Sequence, residues 1–240
     1  MRLPVAMRPP RTFATVALLM SAAGLLYGET AKKAAKAEAK CVCLHEAIDN
    51  QWLWAKYVPR NDTGGRIILR NLTGLPLSVQ LPEALAVVPV LAQFGPQPDA
   101  PQVGGVANEP QAIFNIAPEQ VRRIDVPAVC LEHGKLDPRP TVRYEIRPLS
   151  SVTDKPEVRE LLKMLGKAGP KKQKQFQAAI WHVTDDRSWK QLAAERIKRL
   201  GGRSPEVRFS RRDLAAAKKL LAKAKKRAGE VSSKTSVVAR

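Results

Sequence analysis

The stretch Val121–Leu131, Val-Arg-Arg-Ile-Asp-Val-Pro-Ala-Val-Cys-Leu, carries the clearest fold signal in this chain. Ile124, Val126, Ala128 and Cys130 share one parity, which is the two-residue period of a strand with one buried face. On a regular strand the Cys130 side chain therefore points into the core with the apolar residues of that face.

Further strands are predicted on both sides of this segment. Leu75–Leu81 and Val142–Ile146 alternate apolar and polar residues, and shorter apolar runs bounded by turn residues occupy 66–72, 86–92 and 111–116. The Pro/Gly-rich stretch Gly95–Pro110 is predicted to be a loop. Six or seven short strands separated by turns predict a small antiparallel β-sandwich over residues 41–150.

From residue 151 the apolar pattern becomes helical. One stripe consists of Val158, Leu161, Leu162 and Leu165. The pairs Asp154/Glu157 and Ser188/Gln191 fit capping boxes, and Ser210 with Asp213 is predicted to begin a fourth helix. Helix ends are predicted at Gly166 and at Gly201–Gly202. The predicted fold class is α+β, a β-sandwich followed by a bundle of three to four short helices over 151–228, packed on or beside the sheet, with a disordered tail over 229–240.

The first 28 residues have the pattern of a signal peptide. Arg2, Arg8 and Arg11 precede the apolar run Phe13–Leu26, which is shorter than the roughly 20 residues of a membrane-spanning helix. We expect cleavage after Gly28, the alternative being an uncleaved N-terminal anchor. Residues 29–40 are read as an Ala/Lys spacer, and the predicted location is secreted or periplasmic.

Composition excludes several classes of protein. The chain has 240 residues, 44% of them apolar, and only 3 cysteines, which disfavours a disordered chain and a disulfide-rich scaffold. Its single long apolar run excludes a multi-pass membrane protein. Phosphate-binding glycine loops, Gly-x-Ser-x-Gly and His-Glu-x-x-His are absent from the sequence. We therefore predict a non-enzymatic protein, with no cofactor, no metal and no small-molecule substrate identified.

The C-terminal region is strongly basic. Residues 195–240 contain 15 Lys and Arg against 4 acidic residues, a net charge of +11. This indicates contact with an anionic polymer or an envelope surface, the alternative being a solvated lysine-rich helix face. With only Phe209 nearby to stack on bases, specific nucleic-acid binding is not predicted. The candidate binding residues are Arg211, Arg212, Lys218, Lys219, Lys223 and Lys226.

The three cysteines have several interpretations. In an oxidising compartment, Cys41 or Cys43 is expected to form a disulfide with Cys130. A zinc site formed by these cysteines with His45 and His133 is a weaker alternative, because Cys-x-Cys-x-His is not a common zinc spacing. A nucleophilic Cys130 activated by His133 is a less favoured interpretation than a buried thiol at the end of a strand. Residues three apart on a strand point to opposite faces, and cysteine is commonly buried.

The most distinctive string is Gln177-Ala178-Ala179-Ile180-Trp181, followed by Thr184-Asp185. It resembles the glutamine motif of bacterial thioester surface domains of the TQxA type. That resemblance implies an internal thioester between Cys130 and Gln177 that captures amines, with His182 assisting proton transfer. The alternative is a half-buried amide satisfied by a backbone group.

A broader resemblance runs through most of the chain. It is carried by Asn71-Leu72-Thr73, Leu91-Ala92-Gln93, Val129–Lys135 and Gln177-Ala178-Ala179, and it is to secreted proteins of planctomycete-type bacteria. It implies secretion without a particular activity. The sequence thus predicts an exported, non-enzymatic interaction or structural protein of the cell envelope, with a thioester-type adhesin domain as the alternative.

Overall fold

The computed structural model describes residues 41–90, 103–108, 112–197 and 204–238, with side chains described as far as Val231. The predicted signal peptide at 1–28 and the spacer at 29–40 lie outside these residues. Among the helices that are described, none combines the length and the apolar character needed to cross a membrane.

The strands in the described ranges, in chain order, are β1 (Cys41–Cys43), β2 (Leu53–Asn61), β3 (Gly64–Asn71), β4 (Leu77–Gln80), β5 (Ala84–Pro89), β6 (Gly104–Ala107), β7 (Ile113–Ile116), β8 (Val121–Cys130), β9 (Tyr144–Pro148), β10 (Arg196–Ile197) and β11 (Glu206–Val207). The helices are α1 (Leu44–Asp49), α2 (Pro156–Ala168), α3 (Gln173–Thr184), α4 (Trp189–Ala194) and α5 (Arg211–Val238). This content confirms the α+β class.

Six strands form a closed barrel in the order β2-β3-β8-β6-β5-β9, with antiparallel neighbours throughout. Two further sheets are described: a three-stranded sheet, β1-β4-β7, in which β1 runs parallel to β4, and a two-stranded antiparallel sheet, β10-β11. The predicted sandwich is wrong in this respect, because β9 returns to pair with β2 through Tyr57 and Tyr144. Alternation along a strand identifies a buried face, and that face is the same in a sandwich and in a barrel.

Strand β6 lies inside the stretch that was predicted to be a loop. Its two glycines are required by close packing: a Cβ on Gly104 would lie 2.7 Å from a Val87 methyl group, and one on Gly105 would lie 3.0 Å from Leu131 and 3.1 Å from Leu162. Glycine in a strand often marks such a close approach, so composition alone was misleading here.

The helix boundaries differ from prediction at several points. The Ser188/Gln191 capping box is present, and Ser210 with Asp213 makes the reciprocal bonds at the start of α5. At α2 the N-cap is Lys155 and no side chain caps it. Helix α4 ends at Ala194 and β10 follows, whereas the predicted helix ran to 200. Helix α5 continues to Val238, ten residues past the predicted end of the helical region at 228.

Gly166 does not end α2, which continues to Ala168 and is followed by Gly169 at φ 73°. A Cβ on Gly166 would collide with the backbone carbonyl of Asn108, just after β6. The glycine therefore permits the helix to lie directly on the barrel backbone.

Two hydrophobic clusters organise the protein. The first fills the barrel and includes Tyr57, Ile67, Leu85 and Val106. The second lies between the barrel wall and helices α2, α3 and α5, and it contains residues of both halves. Its buried members include Val129, Leu131, Leu162, Ile180 and Leu221. The helices thus cover one side of the barrel, which places α3 against the end of β8.

Candidate functional site

Strand β8 loses one neighbour before it ends. Its pairing with β3 stops at Pro127 opposite Gly64, and the last contact on that side is the Ala128 N–H donating to the Thr63 carbonyl at 3.0 Å. On its other side β8 remains paired with β6 as far as Cys130 opposite Gly104. From the Ala128 carbonyl to Cys130, this buried edge of β8 therefore has no neighbouring strand.

Two glutamines of α3 occupy this edge. The Cys130 N–H donates to Gln177 Oε1 at 2.8 Å, and Gln177 Nε2 donates to the Cys130 carbonyl at 2.8 Å. One helical turn earlier, Gln173 Nε2 donates to the Ala128 carbonyl at 3.2 Å. Both glutamines are buried, at 4% and 2% exposure. We name Gln173 and Gln177 the glutamine clamp, because together they take the place of a neighbouring strand.

The structure thus brings Cys130 and Gln177 together, through backbone atoms of Cys130. Both ends of the Gln177 amide are engaged, so the side chain is satisfied by a backbone group, which was the alternative to the thioester interpretation. The contact joins residues 47 positions apart.

The Cys130 thiol lies in an environment that suppresses its ionisation. The residue is 1% exposed, and burial raises the pKa of the thiol, with further upward contributions from the carboxylates of Asp62 and Asp137 and a smaller lowering by Arg208. The thiolate is the reactive form of cysteine. A thiol held neutral in this way is a poor nucleophile near neutral pH.

The two histidines predicted to assist the chemistry, His133 and His182, have their ring contacts with residues other than Cys130. The His133 Nε2 atom lies 3.2 Å from Glu195 Oε1, and its ring meets the Trp181 ring edge-on at 4.7 Å. The His182 Nδ1–H donates to the Arg187 carbonyl at 2.7 Å, and its ring stacks on Trp189 at 4.2 Å. His182 follows Gln177 by five positions, which is about 140° around the helix.

Cys41 and Cys43 are exposed on β1, on either side of the buried Val42. All three cysteines are described, and all three are free thiols, so the expected bridge from Cys41 or Cys43 to Cys130 is not formed in this structure. Cys130 is buried at the end of a barrel strand, whereas β1 belongs to the separate three-stranded sheet. Within the described ranges, no three His, Cys, Asp or Glu side chains are grouped to hold a metal ion.

The predicted cationic residues do share one surface. Leu214, Ala217, Leu221 and Ala224 form the buried stripe of α5. We name the opposite, exposed side the cationic face, and it consists of Arg211, Arg212, Lys218, Lys219, Lys223 and Lys226, with Lys225 beside them. From Arg211 to Lys226 this face extends about 22 Å along the helix.

The cationic face has little internal neutralisation. Between Arg211 and Gly229 the one acidic residue is Asp213, whose carboxylate binds the Ser210 hydroxyl and N–H at the N-terminus of the helix. Among the described residues, no ion pair joins a cation of this face to a carboxylate. Lys218 differs from the other cations of this face because its ammonium group contacts an aromatic ring, at 5.5 Å from the centre of Trp189.

Two features of this region escaped the sequence analysis. Gln173 was not singled out, although its spacing of four from Gln177 on an apolar helix is a signal that both amides share a face. Arg208 was also missed: its guanidinium binds Asp62 at 3.0 Å and lies 4.7 Å from the Trp181 ring centre. Arg208 thereby ties the segment before α5 to the barrel.

Comparison of the chain with protein-family models, with curated proteins and with solved structures gives no match.

Proposed function

We propose that this protein is an exported, non-enzymatic interaction protein that binds an anionic polymer of the cell envelope through the cationic face of α5. The observation that carries the proposal is the position of these side chains opposite the buried stripe, with Asp213 occupied at the helix N-terminus. A rigid row of cations without paired carboxylates attracts a polyanion and releases its counterions.

Packing supports a binding role for α5. Helix α5 lies against both α2 and α3, and its apolar stripe is part of the same cluster as the wall of the barrel. The cations are therefore presented on a fixed support, which reduces the conformational entropy lost on binding.

The test is retention on immobilised heparin, an anionic polysaccharide, as NaCl is raised. The triple variant Lys219→Glu, Lys223→Glu, Lys226→Glu should elute at much lower salt than the parent. The slope of log K against log [NaCl] should fall by about 2 to 3. The matched control Arg70→Glu, Arg123→Glu, Lys174→Glu changes the net charge equally at exposed positions outside α5 and should elute close to the parent. Equal loss in both variants would reduce the effect to net charge and refute the proposal.

The thioester adhesin remains a second candidate, because Gln177 and Cys130 are adjacent and both are at most 2% exposed. In that reaction Cys130 Sγ attacks the amide carbon of Gln177, the C–N bond breaks, and the thiol proton leaves with the amide nitrogen as ammonia. The hydrogen bonds on both amide atoms and the raised pKa of the thiol favour the unreacted pair. Intact mass decides: the thioester requires a loss of about 17 Da, and methylamine then opens the bond and adds its own mass of about 31 Da. An unmodified mass eliminates this candidate.

A further inference from the structure

The barrel closes between β2 and β9 through one residue pair, Tyr57 and Tyr144. A ladder continued from that pair would place Ala55 opposite Ile146, but the pairing does not extend to them. The two strand edges separate instead, and a groove of about 810 Å³ lies between them.

Strand β2 directs backbone groups into this groove. The Leu72 N–H donates to the Trp52 carbonyl, which fixes which residues of β2 bond to β3. In an antiparallel pair the bonded residues alternate, so Trp54 and Lys56 bond to β3. The N–H and C=O of Ala55 therefore point away from β3 and toward β9.

Strand β9 also directs backbone groups into the groove, from the side opposite β2. The Val90 N–H donates to the Arg143 carbonyl, and the register then assigns Glu145 and Arg147 to the bonds with β5. The backbone N–H and C=O of Ile146 therefore face β2. The groove is bordered by two strand edges whose hydrogen-bonding groups face one another without being paired.

The side chains of the groove indicate what it accepts. Ile48 of α1 contributes apolar surface, and Trp54 is 45% exposed beside it. Of the charged groups, Glu145 is paired with Arg147 at 2.7 Å and the exposed Asp49 lies near His45, whereas Lys56 and Arg143 make no ion pair with any described residue. The groove thus offers the two unpaired cations Lys56 and Arg143, against the single carboxylate of Asp49, beside free backbone edges.

We infer that this groove binds an extended peptide segment of a partner protein, and that the segment carries an acidic side chain. The segment adds a strand between β2 and β9, with its main chain bonded to Ala55 and Ile146 and its carboxylate near Lys56 and Arg143. Because β2 and β9 are antiparallel, it is parallel to one and antiparallel to the other. About four residues, roughly 13 Å of strand, suffice. This inference is independent of the binding by α5.

The test starts from a displayed library of random octapeptides selected on the full chain. An enriched peptide is synthesised, and its affinity is measured for the parent and for two variants at one position. Ala55→Pro removes the N–H that faces the groove while leaving the bonds to β3 intact, and Ala55→Ser keeps that N–H. We expect an acidic residue in the enriched peptides, affinity about tenfold weaker for Ala55→Pro, and unchanged affinity for Ala55→Ser.

Amide hydrogen exchange of the parent protein gives a second measurement that needs no variant. In the free protein the amides of Ala55 and Ile146 should exchange much faster than those of Trp54 and Glu145, and the peptide should slow them. Absence of any enriched peptide, equal affinity for Ala55→Pro, or full protection of Ala55 and Ile146 in the free protein would overturn the inference. So would a concentration-dependent dimer that Ala55→Pro abolishes, because the occupant would then be a second copy of this chain.

Discussion

The side-chain amide of Gln177 and the backbone of Cys130 are joined by two hydrogen bonds, each 2.8 Å long. A carboxamide has the same donor and acceptor as a peptide unit, so a helix side chain here completes a strand ladder. The burial of both residues makes this contact a structural requirement, because unpaired backbone groups in a dry environment are costly.

Replacing Gln177 by leucine should destabilise the protein substantially. The Cys130 N–H and carbonyl would both lose their partner inside the fold, at a cost of about 2–5 kcal/mol in the free energy of unfolding. Urea unfolding followed by circular dichroism measures this. The control Lys174→Leu changes an exposed position of the same helix and should shift the stability by about 0.5 kcal/mol or less. Similar effects of the two substitutions would contradict the clamp.

The three cysteines should differ sharply in reactivity. Cys41 and Cys43 are exposed, whereas Cys130 is buried with a raised pKa. Titration with Ellman's reagent at pH 8 should therefore modify two thiols quickly in the native protein and the third only after denaturation. A native protein with one reactive thiol, or none, would indicate a disulfide or a different placement of Cys130.

Gly166 and Gly229 should respond in opposite ways to alanine. A methyl group on Gly166 would collide with the Asn108 carbonyl, so Gly166→Ala should destabilise the protein by about 1–3 kcal/mol. Gly229 lies in α5 with open space around its Cβ position, so Gly229→Ala should stabilise it by about 0.5–1 kcal/mol. Thermal unfolding of both variants provides the comparison, and a neutral Gly166→Ala would mean that α2 sits further from β6.

The barrel should weaken at alkaline pH because of its tyrosines. Burial raises the pKa of Tyr144 to about 12, with the Arg139 backbone opposing the shift and Cys130 adding to it. The folded protein therefore favours the neutral phenol, and the stability it contributes is present below pH 10 and lost between about pH 10 and 12.

Tyr144→Phe should reduce that dependence, while Tyr57, whose pKa is also raised by burial, remains. Urea unfolding at pH 8, 10 and 11 should show the free energy of unfolding falling less steeply in the variant, by about 1 kcal/mol at pH 11 after allowance for solvent screening. Parallel curves for variant and parent would show that Tyr144 ionises as easily in the fold as in the unfolded chain.

Local sequence patterns predicted most elements but not their assembly. The alternation in Val121–Leu131 correctly placed Cys130 in the core, and the Ser188/Gln191 pair correctly marked the start of α4. Strand β2 was missed because Leu53–Asn61 ends in Pro-Arg-Asn and mixes charged with aromatic residues. Its role depends on pairing with β3 and β9, and long-range pairing is not encoded in a local period.

The candidate site was predicted only in part, because its contacts also join residues that are distant in the sequence. The sequence selected Cys130 and Gln177, and the structure places them in contact, but through backbone atoms of Cys130 that no motif specifies. The cationic residues of α5 were found readily, because their helical spacing is visible in the sequence. His182 was associated with Gln177 by proximity in the chain, whereas the turn of the helix directs it toward Trp189.

The glutamine clamp also makes the strands and the helices one folding unit. Although strands give way to helices near residue 150, the carbonyl and amide groups at the end of β8 have no adequate partner until α3 arrives. A chain that ends before Gln177 leaves these groups without a partner, so neither half is expected to reach its full stability without the other. The change of secondary structure is therefore not a domain boundary, and unfolding should occur in a single cooperative transition.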